Sequence, residues 1–218
     1  MCIRDRYEHK KQKDYIEQTY LTGINDILGR TEFQYFVNNS LNFRFGADAI
    51  FHQFNPGFFH TVNIIEDSLL VDSVFGNDKI LSQELNFFLE NNIKLGKKLN
   101  YNIGARMSNY FVNDEHFWTV EPRSALNFML NQKSSVKASY TESSQNIHLL
   151  TSSTVGMPVD LWMPATAIAK PSKSTQYAIG FYHLFKSDFF ISIETYYKTM
   201  SNLISFREGL SYYGAAQN

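Results

Sequence analysis

The sequence predicts an all-β protein: about eight long strands of an antiparallel, up-and-down transmembrane β-barrel segment, not closed on itself. Three observations predict it. Apolar and polar residues alternate with period two, so each stretch has one apolar and one polar face. The stretches run to about 13–18 residues, against a mean of about 5–6 in globular proteins. Tight polar turns alternate with connections of variable length, the pattern of a barrel with short periplasmic turns and longer outer loops.

The elements follow in order. Residues 15–38 form the first strand, with Gly29 as a point of interruption, and Asn38-Asn39-Ser40 turns the chain. Over 41–54, Leu41, Phe43, Phe45, Ala47, Ala49 and Phe51 oppose Asn42, Arg44, Gly46 and Asp48. A long connection, 55–78, leads to a strand at 79–93, and Leu95-Gly96-Lys97-Lys98 forms the next tight turn. The strand at 99–113 is the clearest of all. Ile103, Ala105 and Met107 face lipid, whereas Asn102, Arg106 and Ser108 face the lumen.

After 113–115, the strand 116–131 sets Trp118, Val120, Leu126 and Phe128 against Thr119, Glu121, Arg123 and Asn127. Pro122 cannot donate to the ladder, so a bulge is expected around it. Asn131-Gln132-Lys133-Ser134 turns into a strand at 134–148. The connection 149–173 is long and carries Pro158, Pro164 and Pro171 beside Met157, Trp162 and Met163. Strands at 174–186 and 189–206 flank Lys186-Ser187-Asp188, and in the last Glu194 and Lys198 take the polar parity. Fourteen residues span roughly 46 Å at about 3.3 Å each. A bilayer crossing needs only about 9–11. Such strands cross and project beyond.

Aromatics near the strand ends (Phe33, Tyr35, Tyr101, Tyr110, Phe111, Phe117, Trp118, Phe189, Phe190) are expected to form interfacial girdles.

Composition removes several classes. With 16% aromatic and 19% charged residues, the chain is too apolar to be disordered. A net charge of −1 provides no general attraction for a polyanion, so no nucleic-acid partner is expected. The single cysteine, Cys2, excludes a disulfide framework and a multi-cysteine zinc site. There is no apolar run of about 18 residues, hence no transmembrane helix, but a barrel hides its apolar half in alternation.

No catalytic, cofactor or metal site is expected. The six histidines are scattered without an i, i+4 metal pair, and neither a nucleophile elbow nor a phosphate-cradling glycine loop occurs. The polar candidates are lumen-facing instead: Arg106, Glu121, Arg123, Glu194 and Lys198, with Glu121 and Arg123 as an ion pair on one face. The ligand candidates are Asp160, Trp162 and Met163, on an extracellular loop stiffened by prolines. The opposing expectation is that Trp162 merely packs its loop onto the barrel rim.

The leader Met1-Cys2-Ile3-Arg4-Asp5-Arg6 resembles adaptor-derived text. The expected organisation is therefore a non-native leader at 1–6 and one partial barrel over 7–218.

Several stretches carry a family resemblance. They include Phe45-Gly46, Gly104-Ala105-Arg106, Val120-Glu121-Pro122-Arg123-Ser124, Lys137-Ala138-Ser139-Tyr140 and Gln145-Asn146-Ile147-His148-Leu149-Leu150. Pro158-Val159-Asp160-Leu161-Trp162-Met163-Pro164, Gln176-Tyr177 and Glu194-Thr195-Tyr196-Tyr197-Lys198 continue the series. Their order and spacing resemble the barrel of a TonB-dependent outer-membrane receptor of the kind common in Bacteroidetes-like bacteria. The match is to mid-barrel, with no counterpart of the family's plug, its TonB-contacting box or its terminal aromatic strand.

The resemblance implies a Gram-negative outer-membrane protein that is no enzyme and needs no cofactor. It implies energised uptake of a scarce ligand: an iron chelate, a vitamin complex or an oligosaccharide. The implied partners are outer-membrane lipid, a TonB complex reached through the plug region, and a small-molecule or glycan ligand. Two rivals stand beside it. One is a complete eight-stranded barrel serving as anchor or adhesin, in which 15–38 pairs with 189–206. The other is a soluble glycan-binding sandwich, which strand length disfavours.

Overall fold

A computed structural model describes residues 2–11, 14–65, 68–76, 79–152, 159–186 and 189–205. All regular structure among them is strand. In chain order the strands are β1 (Cys2–Lys11), β2 (Asp14–Asn38), β3 (Leu41–Ile65), β4 (Ser68–Gly76), β5 (Ile80–Leu95) and β6 (Leu99–Val112). Then come β7 (Glu115–Met129), β8 (Ser134–Gln145), β9 (Ile147–Ser152), β10 (Val159–Pro164), β11 (Ser172–Lys186) and β12 (Phe189–Ser201).

Ten strands make one antiparallel sheet in the order β1-β2-β3-β5-β6-β7-β8-β11-β12, with β4 also on β3. Apart from β4 and the separate β9–β10 pair, neighbours in sequence are neighbours in space, as an up-and-down wall requires. Among the described residues no pairing joins β12 to β1 or β2, so the sheet is open.

Register follows the alternation. Reading across β3, β5, β6 and β7, one outward row is Ala47, Phe87, Met107, Val120, and the next is Phe45, Leu89, Ala105, Pro122. The inward rows are Asp48, Asn86, Ser108, Thr119, then Gly46, Phe88, Arg106, Glu121, then Arg44, Glu90, Gly104, Arg123. Met107 and Ile103 are 42% and 44% exposed, whereas Ser108 is 2% exposed. Large apolar side chains such as Phe45, Phe87, Trp118 and Val120 stand bare on the outer face. In water that face would be costly; in a bilayer it is the solvated side.

Two glycines let the inner face close. A Cβ on Gly104 would lie 2.7 Å from Glu90 Cγ and from the Leu89 carbonyl oxygen. A Cβ on Gly46 would lie 2.9 Å from the Phe88 ring, which the Arg30 and Arg44 guanidinium groups flank at 5.3 and 5.6 Å.

The structure corrects four expectations. The connection 55–78 is largely strand: β3 continues to Ile65 and pairs with β4 and with the first half of β2. At about 3.3 Å per residue the 25 residues of β2 and of β3 each extend about 80 Å, far beyond an apolar layer of about 30 Å. The register shifts where this extension leaves the wall, with Pro56 and Gly57 facing the single residue Thr22. Second, no bulge forms at Pro122: its pairing with β6 is continuous, and the β7–β8 ladder simply stops at Arg123–Thr141. Third, Tyr110 joins no girdle. It lies inward, fully buried, and its hydroxyl donates to Ser82 Oγ at 2.8 Å. Finally, part of the connection 149–173 is strand: Ile147–Ser152 and Val159–Pro164 pair as the antiparallel strands β9 and β10.

Candidate functional site

The inner face of the wall is a lattice of polar side chains, one row from each cross-strand register. Toward the short turns, Asn102 donates to Asn92 Oδ1 at 2.6 Å and Asn92 donates to Asn42 Oδ1 at 3.3 Å, a chain of amides across three strands. These residues help to line a concavity of about 600 Å³. One rung further, Glu90 lies between Arg44 at 3.7 Å and Arg123 at 3.4 Å.

Mid-wall, the rows become acidic. Arg106 contacts Asp48 at 3.5 Å and Glu84 at 3.3 Å. Asn86 donates to both carboxylates, at 2.5 and 2.9 Å. Glu121 accepts the backbone N–H of Ser144 at 3.0 Å and is also bonded by the Ser144 hydroxyl. Its ion pair with Arg123, expected from shared parity, is present but long at 3.9 Å, and Arg123 stands closer to Glu90.

The end of this face opposite the short turns is roofed. Hairpin β9–β10 pairs Trp162 with Leu149 and Met163 with His148, and β10 reaches back to touch β2 and β3. The chain just beyond it packs Ala165 onto Tyr110 and Val112, with Ile80 and Phe117 alongside, making a small apolar core. His148 is buried within the hairpin. Burial holds its imidazole below the ordinary range, opposed by hydrogen bonds to the backbone of Lys170 and Ala169.

Between roof and wall lies a cavity of about 430 Å³. Trp162 lines it from the hairpin; Asp26, Glu84, Arg106 and Glu121 line it from four strands of the wall, and Asn146 lines it from the β8–β9 junction. That volume is in the range of small-molecule sites, about 300–1,000 Å³.

The family whose model matches residues 3–217 is described as TonB dependent receptor-like, beta-barrel. The chain belongs to that family. Its membership puts the chain in the outer membrane of a Gram-negative bacterium, in a family of receptor-like barrels. Of the solved structures it resembles, one agrees at the level of fold. The RagAB peptide transporter is similar with a TM-score of 0.55 and 13% identity, over 86% of this chain and 24% of that one. The ferripyoverdine receptor of Pseudomonas aeruginosa gives 0.48 and 15%, over 91% and 30%. The alcaligin outer-membrane receptor FauA of Bordetella pertussis gives 0.45 and 16%, over 96% and 34%. The chain thus spans about a quarter to a third of the length of these proteins. No curated protein sequence matches it.

Of the residues singled out in this receptor segment by sequence, Arg106, Glu121 and Trp162 meet at one cavity, with Arg123 one rung below. Met163 follows Trp162 in β10, and Asp160 precedes it, paired with Thr151. Glu194 and Lys198 lie apart, on the edge strand β12. There Glu194 accepts from the Tyr182 hydroxyl at 2.9 Å, and Lys137 Nζ sits 4.3 Å from the Tyr182 ring centre. Sequence reasoning missed Asp26, Glu84 and Asn146. Parity within 79–93 could have found Glu84, but the roof that makes Asn146 part of a site has no sequence signal.

Proposed function

We propose that the chain forms part of the wall of a TonB-dependent receptor that takes up a scarce ligand by energised transport. The ligand classes are an iron chelate, a vitamin complex or an oligosaccharide, and the name of the RagAB transporter adds peptides. Energy would reach the barrel from a TonB complex acting on a plug region, and the hairpin β9–β10 would face the cell exterior. Trp162, with Asp160 and Met163 beside it, is the ligand anchor in this reading.

One observation carries it. The hairpin folds inward over the polar face, so that an aromatic side chain and charged wall residues border the same cavity on the side away from lipid. A purely structural barrel has no use for a roofed polar cavity. The small closed barrel would also need β12 to pair with β2, a pairing absent from the sheet order among the described residues.

The test is uptake of labelled ligands from each class by cells expressing the complete receptor, with and without a protonophore. Uptake that collapses with the proton gradient supports the reading; gradient-independent uptake, or none, defeats it.

A further inference from the structure

We propose that the cavity beneath β9–β10 binds an organic cation, an ammonium or guanidinium group with a carbonyl beside it, as in a lysyl or arginyl peptide. This deepens the receptor reading and rests on it.

Charge is the first argument. Asp26, Glu84 and Glu121 line the cavity against one guanidinium, that of Arg106. Arg106 is already divided between Asp48 and Glu84. Widening the count does not remove the excess. Asp26, Asp48, Glu84 and Glu121 make four carboxylates against Arg106 and Arg123, a surplus of two. His52, whose Nδ1 lies 2.7 Å from Asp26, could offset at most one of them. An anionic ligand would meet uncompensated like charge, which costs far more in a partly dehydrated site than in water.

Unmet hydrogen bonds are the second, independent argument. Asn146 is 6% exposed and lines the cavity. Its amide nitrogen donates to Glu84 Oε2 at 3.1 Å, which fixes the amide orientation because a carboxylate only accepts. The Asn146 oxygen is thereby left without a donor. Buried acceptors of this kind are normally satisfied, so the missing group is a donor. An ammonium supplies three N–H groups and a guanidinium five. Trp162 makes the opposite demand: its indole N–H is buried without an acceptor. A ligand carbonyl next to the cation answers both at once.

Bare metal ions fit poorly. Among the described residues no group of three or more His, Cys, Asp or Glu side chains could hold one. The volume of about 430 Å³ also exceeds what an ion needs and suits a side chain with its adjoining peptide unit.

The experiment uses the complete receptor in detergent and titrates it with N-acetyl-Ala-Lys-Ala amide, its Nε-acetyl-lysine form, and N-acetyl-Ala-Glu-Ala amide, so that the lysyl ammonium is the one cation among the three. The lysyl probe is expected to bind at least about tenfold more tightly than either counterpart, and Glu84→Gln with Glu121→Gln to remove that preference. Trp162→Phe keeps an aromatic ring and deletes the N–H. It should weaken the lysyl probe several-fold more than 1,5-diaminopentane, which has no carbonyl to accept from the indole. Because this variant leaves the wall untouched, it tests the idea even if the double variant fails to assemble. Equal affinity for the lysyl and acetylated probes overturns the proposal, as does a preference for the glutamate probe. In either case energised uptake of another ligand would leave the receptor reading standing, whereas loss of all energised uptake would remove that reading itself.

Discussion

Glu90 and Arg123 approach to 3.4 Å although a whole strand, β6, runs between theirs. The residue that separates them in register is Gly104, and its missing side chain is the passage through which they meet. Gly104→Ala should therefore strain the Glu90 side chain and the Leu89 carbonyl together. The expected loss is about 1–3 kcal/mol, as for overpacking elsewhere, read as earlier unfolding of the complete barrel in a urea titration. An unchanged midpoint would mean that the wall flexes freely at this rung.

The two faces of β6 should respond oppositely to charge. Met107→Arg puts a cation into lipid and should cost roughly 2–4 kcal/mol if it lies near the midplane. Asn102→Arg, on the inner face, should cost far less. With single cysteines, a lipid-soluble quencher should reach a probe at Ile103 and not at Asn102; the reverse would invert the register of the whole sheet.

Trp162→Ala in the complete receptor should weaken ligand binding by roughly 1–3 kcal/mol, the scale of a modest hot spot. Surface expression should stay normal. Unchanged affinity with less protein at the surface would assign Trp162 to rim packing instead.

His148 should make the hairpin sensitive to acid. Its folded-state pKa is depressed by burial from 6.5. The neutral ring is thus the folded form, and its stabilisation is complete above about 6.5 and fades as pH falls through the lower folded value. Protection of the Leu150 and Met163 amides, taken relative to the intrinsic exchange rate at each pH, should fall between pH 7.5 and 5, and His148→Gln should flatten that response. Protection that rises toward acid would contradict the sign.

The isolated 218-residue chain should not persist as a soluble monomer. An open edge at β12 and bare apolar rows on the outer face invite association. Sedimentation without detergent should show large species; a monodisperse monomer would count against a membrane wall.

Much of this architecture is legible in sequence because a two-faced strand must write its environment into every second residue. Phe43, Phe45 and Ala47 against Arg44, Gly46 and Asp48 state both face and register. The same logic put Arg106, Glu121 and Arg123 on the polar parity. It failed where the bilayer stops dictating the pattern. From Asn55 through Gly76 the alternation carries no lipid side, so β4 and the far half of β3 look like loop. The charged run of β1 hides a strand for the same reason, since both of its faces are polar. The cavity was half legible. Trp162 stood out as an aromatic among prolines, but the fold of its hairpin onto β2 and β3 is a tertiary event. Asp26 and Asn146 therefore gain their roles only from distant partners.

The irregularity at Pro56–Gly57 divides the chain's future as well as its geometry. Below it, each substitution is judged by two solvents at once, and a change of parity is punished over the entire rung. Beyond it, β1 to β4 pair only with one another. In the orientation proposed above that projection faces the cell exterior, where a lipid side no longer dictates every second residue. Whatever meets the cell surface first, whether an antibody, a bacteriophage or a competitor's toxin, would meet the part of this protein best able to change its face.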